Sequence, residues 1–387
     1  MACFPEFLRS YLRISLREIA SILLALLVTV GAVAVTVKLP APRAVAASEL
    51  QLTHGAADHQ DPIFSPDGKY IVFSSNQLGS FDMWLISTDG KRQVRLTSMV
   101  GDERSPKWGP DRRTVAFIWK HETFSDLCLM ETVAGNVKCV TSGEHVGEYA
   151  WSPNGRTVAY DDMVEGNIHF CDVVTGANSI FQFNMTVREP AFGTSSGTLY
   201  FAAETDWKVS IWSANLDGSN PRRLSWLGSD GKPQISPTGD KVLYLTNFPE
   251  YVQPRLIDTD GKNSRLLFET PNIIGYGFPP SPSIAPATVP RWSPDGTEVL
   301  IVSGENGSTH SLFVATLNVT VTIEPVTPTE PQEYVMTVFN KIPISINVLD
   351  AQWGPDEKSI VLVSNELGSK QLFLLRIGSV ATGYETR

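Results

Sequence analysis

The chain has 387 residues, 42% hydrophobic and 10% aromatic, ample for a packed core and incompatible with wholesale disorder. Its 41 acids against 31 bases give a net charge of −10, and from residue 49 onward the excess reaches −13. That balance argues against a nucleic-acid partner, which calls for a basic face or stripe.

The first elements in chain order are a tail and an apolar run. Residues 19–37, IASILLALLVTVGAVAVTV, contain no charge and are long enough to span a hydrocarbon core. Arg9, Arg13 and Arg17 precede the run, so the positive-inside bias keeps residues 1–18 in the cytoplasm and sends everything after the linker 38–48 outside. A cleaved signal peptide is the alternative, because Ala44-Val45-Ala46 offers small residues at cleavage spacing. The expected location is therefore periplasmic or extracellular: membrane-anchored if the segment stays, secreted if it is removed. The four cysteines show no CxxC spacing. Cys128, Cys139 and Cys171 read as buried small apolar residues, with a Cys128–Cys139 bridge open in an oxidising compartment.

The body is a repeat. FSPDGK (64–69), WGPDRR (108–113), WSPNGR (151–156), FGTSSGT (192–198), ISPTGDK (235–241), WSPDGT (292–297) and WGPDEK (353–358) recur at intervals of 44, 43, 41, 43, 57 and 61 residues. A period in the low forties is the length of one four-stranded propeller blade. Each turn is followed by a β-rich run such as KYIVFSS or KVLYLTN, then by an alternating run such as DMWLIST or SIWSANL. Asp-Gly and similar pairs follow, supplying the positive φ a tight hairpin needs. Several repeats close with a short strand such as VRLT. The seventh repeat stops at its third strand, QLFLLRI, whereas ELQLT (49–53) precedes the first turn as a spare fourth strand. The predicted fold is all-β: a seven-bladed β-propeller over residues 49–380, closed by strand 49–53, with six blades as the variant if one repeat is degenerate. A C-terminal tail covers 381–387.

These turns, with the Leu-Thr endings, resemble the TolB-like propellers over about residues 49–378. TolB proteins pair their propeller with a separate N-terminal domain in the periplasm, whereas a single apolar segment precedes this one, so the resemblance implies fold more than role. Prolyl-oligopeptidase-type enzymes carry similar propellers beside an α/β-hydrolase domain, for which this chain has no room.

Within the repeats, Asp67 is a turn residue. Asp111, Asn154, Thr238, Asp295 and Asp356 share its position, and a catalytic acid is not needed that many times. Gly193–Gly197 spells the G-x-S-x-G of a hydrolase elbow, but Ser195 falls in a strand-to-strand turn rather than ahead of a helix. Four residues before the successive repeat anchors stand Asp61, Ser105, Glu148, Glu189, Lys232, Val289 and Asp350; if they face the axis, the channel mouth carries four acids and one base. His59 and His145 occupy equivalent blade-joining loops and reach towards the opening, without the spacing of a metal site, so no metal or cofactor is expected. Two long insertions, 269–290 and 327–347, fall by register in loops on that same face and bring Tyr276, Phe278, Tyr334 and Phe339. The expected function is a non-catalytic scaffold binding a protein or peptide at the cell envelope. The alternative is a propeller enzyme of the glycan lyase or hydrolase type with a metal or acidic axial site.

Overall fold

The computed structural model describes residues 45–379 except 133–134, 182, 196, 206, 227, 249–250, 268–287, 306–308 and 324–331. The expected apolar segment 19–37 lies outside the described residues, among which no helix is long and apolar enough to cross a membrane.

Alternating apolar runs separated by tight turns can only pair with their sequence neighbours, and each repeat does so as an antiparallel four-stranded sheet. The first strand, β1 (Val45–Gln51), belongs to the last blade. Blade one is β2 (His59–Phe64), β3 (Tyr70–Leu78), β4 (Ser80–Ser87) and β5 (Gln93–Arg95). Blade two is β6 (Asp102–Trp108), β7 (Thr114–Lys120), β8 (Ser125–Glu131) and β9 (Val137–Cys139). Blade three is β10 (Val146–Trp151), β11 (Thr157–Asp162), β12 (Asn167–Asp172) and β13 (Asn178–Ile180). Blade four is β14 (Val187–Phe192), β15 (Thr198–Thr205), β16 (Lys208–Asn215) and β17 (Arg222–Arg223). Blade five is β18 (Ser229–Ile235), β19 (Lys241–Phe248), β20 (Tyr251–Asp258) and β21 (Arg265–Leu266). Blade six is β22 (Arg291–Trp292), β23 (Glu298–Glu305), β24 (Thr309–Ile323) and β25 (Gln332–Ile342). Blade seven is β26 (Val348–Trp353), β27 (Ser359–Ser364), β28 (Gln371–Ser379) and the returning β1.

The protein is an all-β, seven-bladed propeller. Its ring closes as the spare strand implies: β1 pairs antiparallel with β28 from Val45↔Ser379 to Gln51↔Phe373. The closing strand therefore begins at Val45, four residues before the expected boundary at Glu49. Apolar clusters fill the gaps between neighbouring blades. At the closure, Leu52, Ile71 and Phe73 pack with Val361, Val363 and Leu372.

The repeated motifs have separate jobs. In the first turn Ser65 Oγ donates to Asp67 at 2.6 Å, while the amides of Tyr70 and Gly68 donate to Ser65 Oγ (3.0 Å) and Ser65 O (2.8 Å). Gly68 has φ +70°, and a Cβ there would stand 3.3 Å from Pro355, the turn proline of blade seven. Gly155 abuts Pro110 and Gly296 abuts Pro237 in the same manner, so these three turns each seat on that of the preceding blade. These turns, with the hairpins between third and fourth strands, form one face of the disc, the turn face. The Leu-Thr endings tie the outer strand inward. Thr141 Oγ1 accepts the Leu127 amide at 2.8 Å and donates to Asp126 at 2.8 Å; Ser225 links Ile211 and Asp230, and Thr53 links Leu372 and Gln371.

Two expectations are corrected. Cys128 and Cys139 are not separate apolar residues: they form a disulfide between β8 and β9, whose register sets them side by side, while Cys171 is buried and free. Residues 332–342 are not a blade-joining loop either. They form β25, the outer strand of blade six, because Tyr334, Met336 and Val338 find partners in Val321, Val319 and Thr316 of an extended β24. The remaining loops between second and third strands, together with the links from one blade to the next, make up the opposite face, the loop face. Because the disulfide closes a sequence separation of 11 residues, reduction is expected to lower the unfolding free energy by about 2–3 kcal/mol. Urea unfolding with and without reductant checks this, and a Cys139→Ser variant should show no further reductant effect.

Candidate functional site

Every innermost strand runs from the loop face to the turn face around the central channel, and six of them break register midway: β2, β6, β10, β14, β18 and β26. The breaks fall at or beside the positions four before the anchors. Asp61, Ser105, Glu189 and Lys232 adopt φ of 54°, 55°, 56° and 54°, a left-handed conformation that is uncommon for residues with a Cβ. Each is followed by a proline (Pro62, Pro106, Pro190, Pro233) that cannot donate to a ladder.

Carboxylates satisfy the amides that the bulges turn away from their own sheets. Asp61 of blade one accepts the Ser105 amide of blade two at 3.2 Å. Asp161, on β11 of blade three, accepts the Glu148 amide of its own blade and the Glu189 amide of blade four, both at 2.7 Å. Glu189 accepts the Lys232 amide of blade five at 2.6 Å. Burial pushes the Asp161 carboxyl above its ordinary range, partly offset by the two amides.

Cations complete the cluster. Lys232 Nζ lies 2.7 Å from Glu148 and 3.2 Å from Glu189, and Lys107 Nζ lies 3.6 Å from Glu148. Burial works against the Lys232 charge, but Glu148 and Glu189 outweigh it and raise its pKa. Burial alone would raise Glu148, yet Lys107 and Lys232 hold it below the usual carboxylate range. Lys107 shifts the other way: desolvation lowers it despite Glu148, with Arg291 and Lys232 adding repulsion. Its side chain is nonetheless 40% exposed, as suits a group in a channel that water enters but protein walls on every side. Asp350 is raised by burial, partly countered by Arg291. Glu148, Glu189 and Asp350 thus lie among three cations rather than one, Lys107 and Arg291 joining Lys232. Lys107 and Arg291 were missed in the sequence although each sits two residues beyond an axial position. Asp161, on a second strand, carried no such signal.

The histidines fall elsewhere. His59 opens β2 instead of standing in a loop, its amide bonded to Lys370 O at 2.8 Å and its ring edge-on to Phe73. It is 1% exposed, and burial drives its pKa down to about 4 against a small opposing effect of Asp58, so it is a neutral core residue rather than a loop-face contact. His145 bridges to Ser125 two blades away from His59. Among the described residues no three His, Cys, Asp or Glu side chains gather as a metal site. Tyr276 and Phe278 lie outside the described residues. Tyr334 and Phe339 lie on β25, paired with Val321 and Ala315 of β24.

What the loop face does present is apolar surface. Trp207 is 94% exposed between β15 and β16, and Trp226 is 67% exposed between β17 and β18. Leu78, Val100, Met163 and Leu367 are also exposed in loops of this face. The Arg223 guanidinium stacks 4.4 Å over the Trp226 ring, holding it in place.

Residues 43–193, the first three blades and part of the fourth, match the TolB beta propeller domain. Over that span the chain is similar to the TolB-like propellers. It is 25% identical over 212 residues to the Tol-Pal system protein TolB of Francisella tularensis subsp. holarctica, covering 52% of this chain and 49% of that protein. It is 30% identical over 124 residues to an uncharacterized protein of Agrobacterium fabrum, covering 29% of this chain and 42% of that protein. The chain thus spans less than half the length of either relative. An oligogalacturonate lyase in complex with manganese superposes with a TM-score of 0.63 at 14% identity, over 89% of this chain and 96% of that one. The Myceliophteria thermophila Cps50 (Swd1) propeller domain gives 0.58 at 11% identity, over 86% and 99%. Both likenesses are of fold.

Two outcomes test the inner network. Replacing Glu189 with Ala leaves the Lys232 amide without its acceptor and the Lys232 ammonium with Glu148 alone, and should cost roughly 1–3 kcal/mol of unfolding free energy. Lys91→Ala on the exposed rim should cost less than about 0.5 kcal/mol by the same chemical denaturation. His59 supplies a pH signature. Between 6.5 and about 4 the unfolded chain takes up a proton that folded His59 refuses, so stability falls as pH drops through that window. The loss is at most roughly 3 kcal/mol, and His59→Phe should flatten that part of the denaturation-versus-pH curve.

Proposed function

We propose that this protein is a non-catalytic scaffold held outside the cytoplasm, and that it binds a protein or peptide partner of the cell envelope on its loop face. The observation that carries this reading is the run of solvent-exposed tryptophan and aliphatic side chains across that face, headed by Trp207 and Trp226. A large apolar ring left in water is unfavourable, and tryptophan is the residue type most often found anchoring protein contacts. The axial charges support the same reading from the other side. Asp61, Glu148, Glu189, Lys232 and Asp350, with Lys107 and Arg291, are largely engaged with bulge amides or one another, as befits a support for the ring.

Export is supported by the uncharged run 19–37 behind three arginines and by the Cys128–Cys139 disulfide, which suits an oxidising compartment. Similarity to the Tol-Pal system protein TolB supports an envelope setting and a protein partner there. The rival reading, an axial enzyme acting on glycans, rests on fold likeness alone, and a fold hosts many functions.

The test is site-specific photo-crosslinking of the full chain in its native envelope. A photoreactive residue at Trp207 should yield a discrete adduct that the same group at Val174, on the turn face, does not. A Trp226→Ala change should weaken capture at least about tenfold if the ring is an anchor. Equal adducts from both faces, or none from either, overturn the assignment.

A further inference from the structure

The seam between blades two and three carries polar groups that the fold does not use. Tyr160 on β11 and His169 on β12 are register partners, and their rings stack at 5.1 Å and 15°. Tyr160 packs there against Ala116 and Leu127 of blade two. Both residues are buried, at 0% and 8% exposure, yet the Tyr160 hydroxyl and His169 Nε2 have no hydrogen-bond partner. Buried polar atoms left unpaired are costly, and two side by side call for a reason.

Acids surround the pair. The link from β9 to β10, the end of β11 and the turn after it bring Glu144, Asp162 and Glu165 to the loop-face end of the seam, near Asp126 of β8. Glu165 stands 3.5 Å from His169 Nε2. Burial pushes the Tyr160 phenol far above its ordinary value, and Glu144, Cys171, Asp162 and Asp126 push it further, so the hydroxyl is aimed among carboxylates. Two of these are committed to backbone. Asp126 accepts the Gly143 and Glu144 amides at 3.1 and 3.2 Å, and Asp162 those of Val164 and Glu165 at 2.7 and 2.8 Å. Burial and the neighbouring Asp162 carboxylate raise Glu144 above its usual range. No lysine or arginine among the described residues pairs with any of the four acids, in contrast to the axial cluster.

What would satisfy these atoms has a specific chemistry. The Tyr160 oxygen, His169 Nε2 with its proton on Nδ1, and the Glu144 and Glu165 carboxylates can all accept hydrogen bonds, in a negative field. A metal would need oxygens that Asp126 and Asp162 give to amides, and no three ligands gather among the described residues. An ammonium or guanidinium instead brings several N–H donors with its charge. Met163 and Val164, 66% and 71% exposed on the same turn, offer apolar surface to the methylene stem of such a group.

We propose that the loop-face end of this seam binds an organic cation bearing N–H donors, a primary ammonium or a guanidinium. The site uses neither Trp207 nor Trp226, so its failure and the failure of the loop-face partner reading are separate results.

Isothermal titration of the full chain in detergent with agmatine and with cadaverine tests it. At least one should bind, and tetramethylammonium, which has the charge but no N–H, should bind at least about tenfold more weakly. Tyr160→Phe keeps the ring and should weaken amine binding about tenfold, without making the amine-free protein easier to unfold. Glu165→Gln, on the exposed turn, repeats the comparison should the first variant fold poorly. No binding of either amine, equal binding of tetramethylammonium, or unchanged binding in both variants overturns the proposal. Tighter binding of calcium or manganese ions at these residues overturns it too, by assigning the acids to a metal. A photoreactive residue at Val164 in the native envelope separates the two sources of the cation. A protein adduct assigns it to a partner's lysine or arginine, whereas amine binding without an adduct assigns it to a free amine, and either upholds the site.

Discussion

The ring depends on a backbone conformation that its residues would not choose alone. At four of the seven inner strands a residue with a side chain is held left-handed, and its amide is turned out of its own sheet. An amide so placed near the axis needs an acceptor, and the acceptor is a carboxylate, most often from the blade before. Inter-blade hydrogen bonds of this kind add direction to a contact that is otherwise apolar packing between twisted sheets. They also explain why acids recur near the axis. These carboxylates hold backbone, and cations then gather to offset the charge.

The same economy runs outward along each blade. The turn serine and its Asp or Asn fix the first hairpin, the proline and glycine stack successive turns into a ring, and the terminal threonine or serine pins the outer strand to an acid. Each motif answers a particular unpaired group or close approach. Where the repeat departs from consensus the backbone still complies, as Arg112 and Glu357 show by holding φ of 60° and 58° where glycine would be unstrained.

Because the fold is a repeat, its blade count and its closing strand were legible in the sequence: seven near-copies of one turn and a spare ELQLT leave little freedom. Residues that depend on a neighbouring blade were less legible. Asp161 looks like any strand residue until the amides of Glu148 and Glu189 are seen converging on it. Lys107 and Arg291 each follow an axial position by two residues, a signal that was present but weaker than the repeat itself. The insertion before blade seven was placed on the wrong face because a register count locates extra residues without saying whether they extend a hairpin or a loop. The alternation of Val319, Val321 and Ile323 against Tyr334 and Met336 was the local sign of a hairpin. His59 shows the converse failure: a histidine in a polar-looking stretch reads as a loop-face contact, and its burial follows from its place at the start of β2, next to the closure.

The two faces of the disc therefore carry different obligations. The turn face is crowded with residues whose identities are set by contact with the next blade, since a proline or glycine there touches its neighbour directly. The loop face has no such stacking, and its connections vary in length from blade to blade, so side chains there are free to answer to something other than the fold. Exposed tryptophans appear on the face with that freedom. The one large elaboration on the turn face among the described residues, the extended hairpin of β24 and β25, rises beside the strand through which the N-terminus joins the ring. Exposed apolar side chains on the loop face can therefore meet a partner without disturbing the contacts that seat one blade on the next.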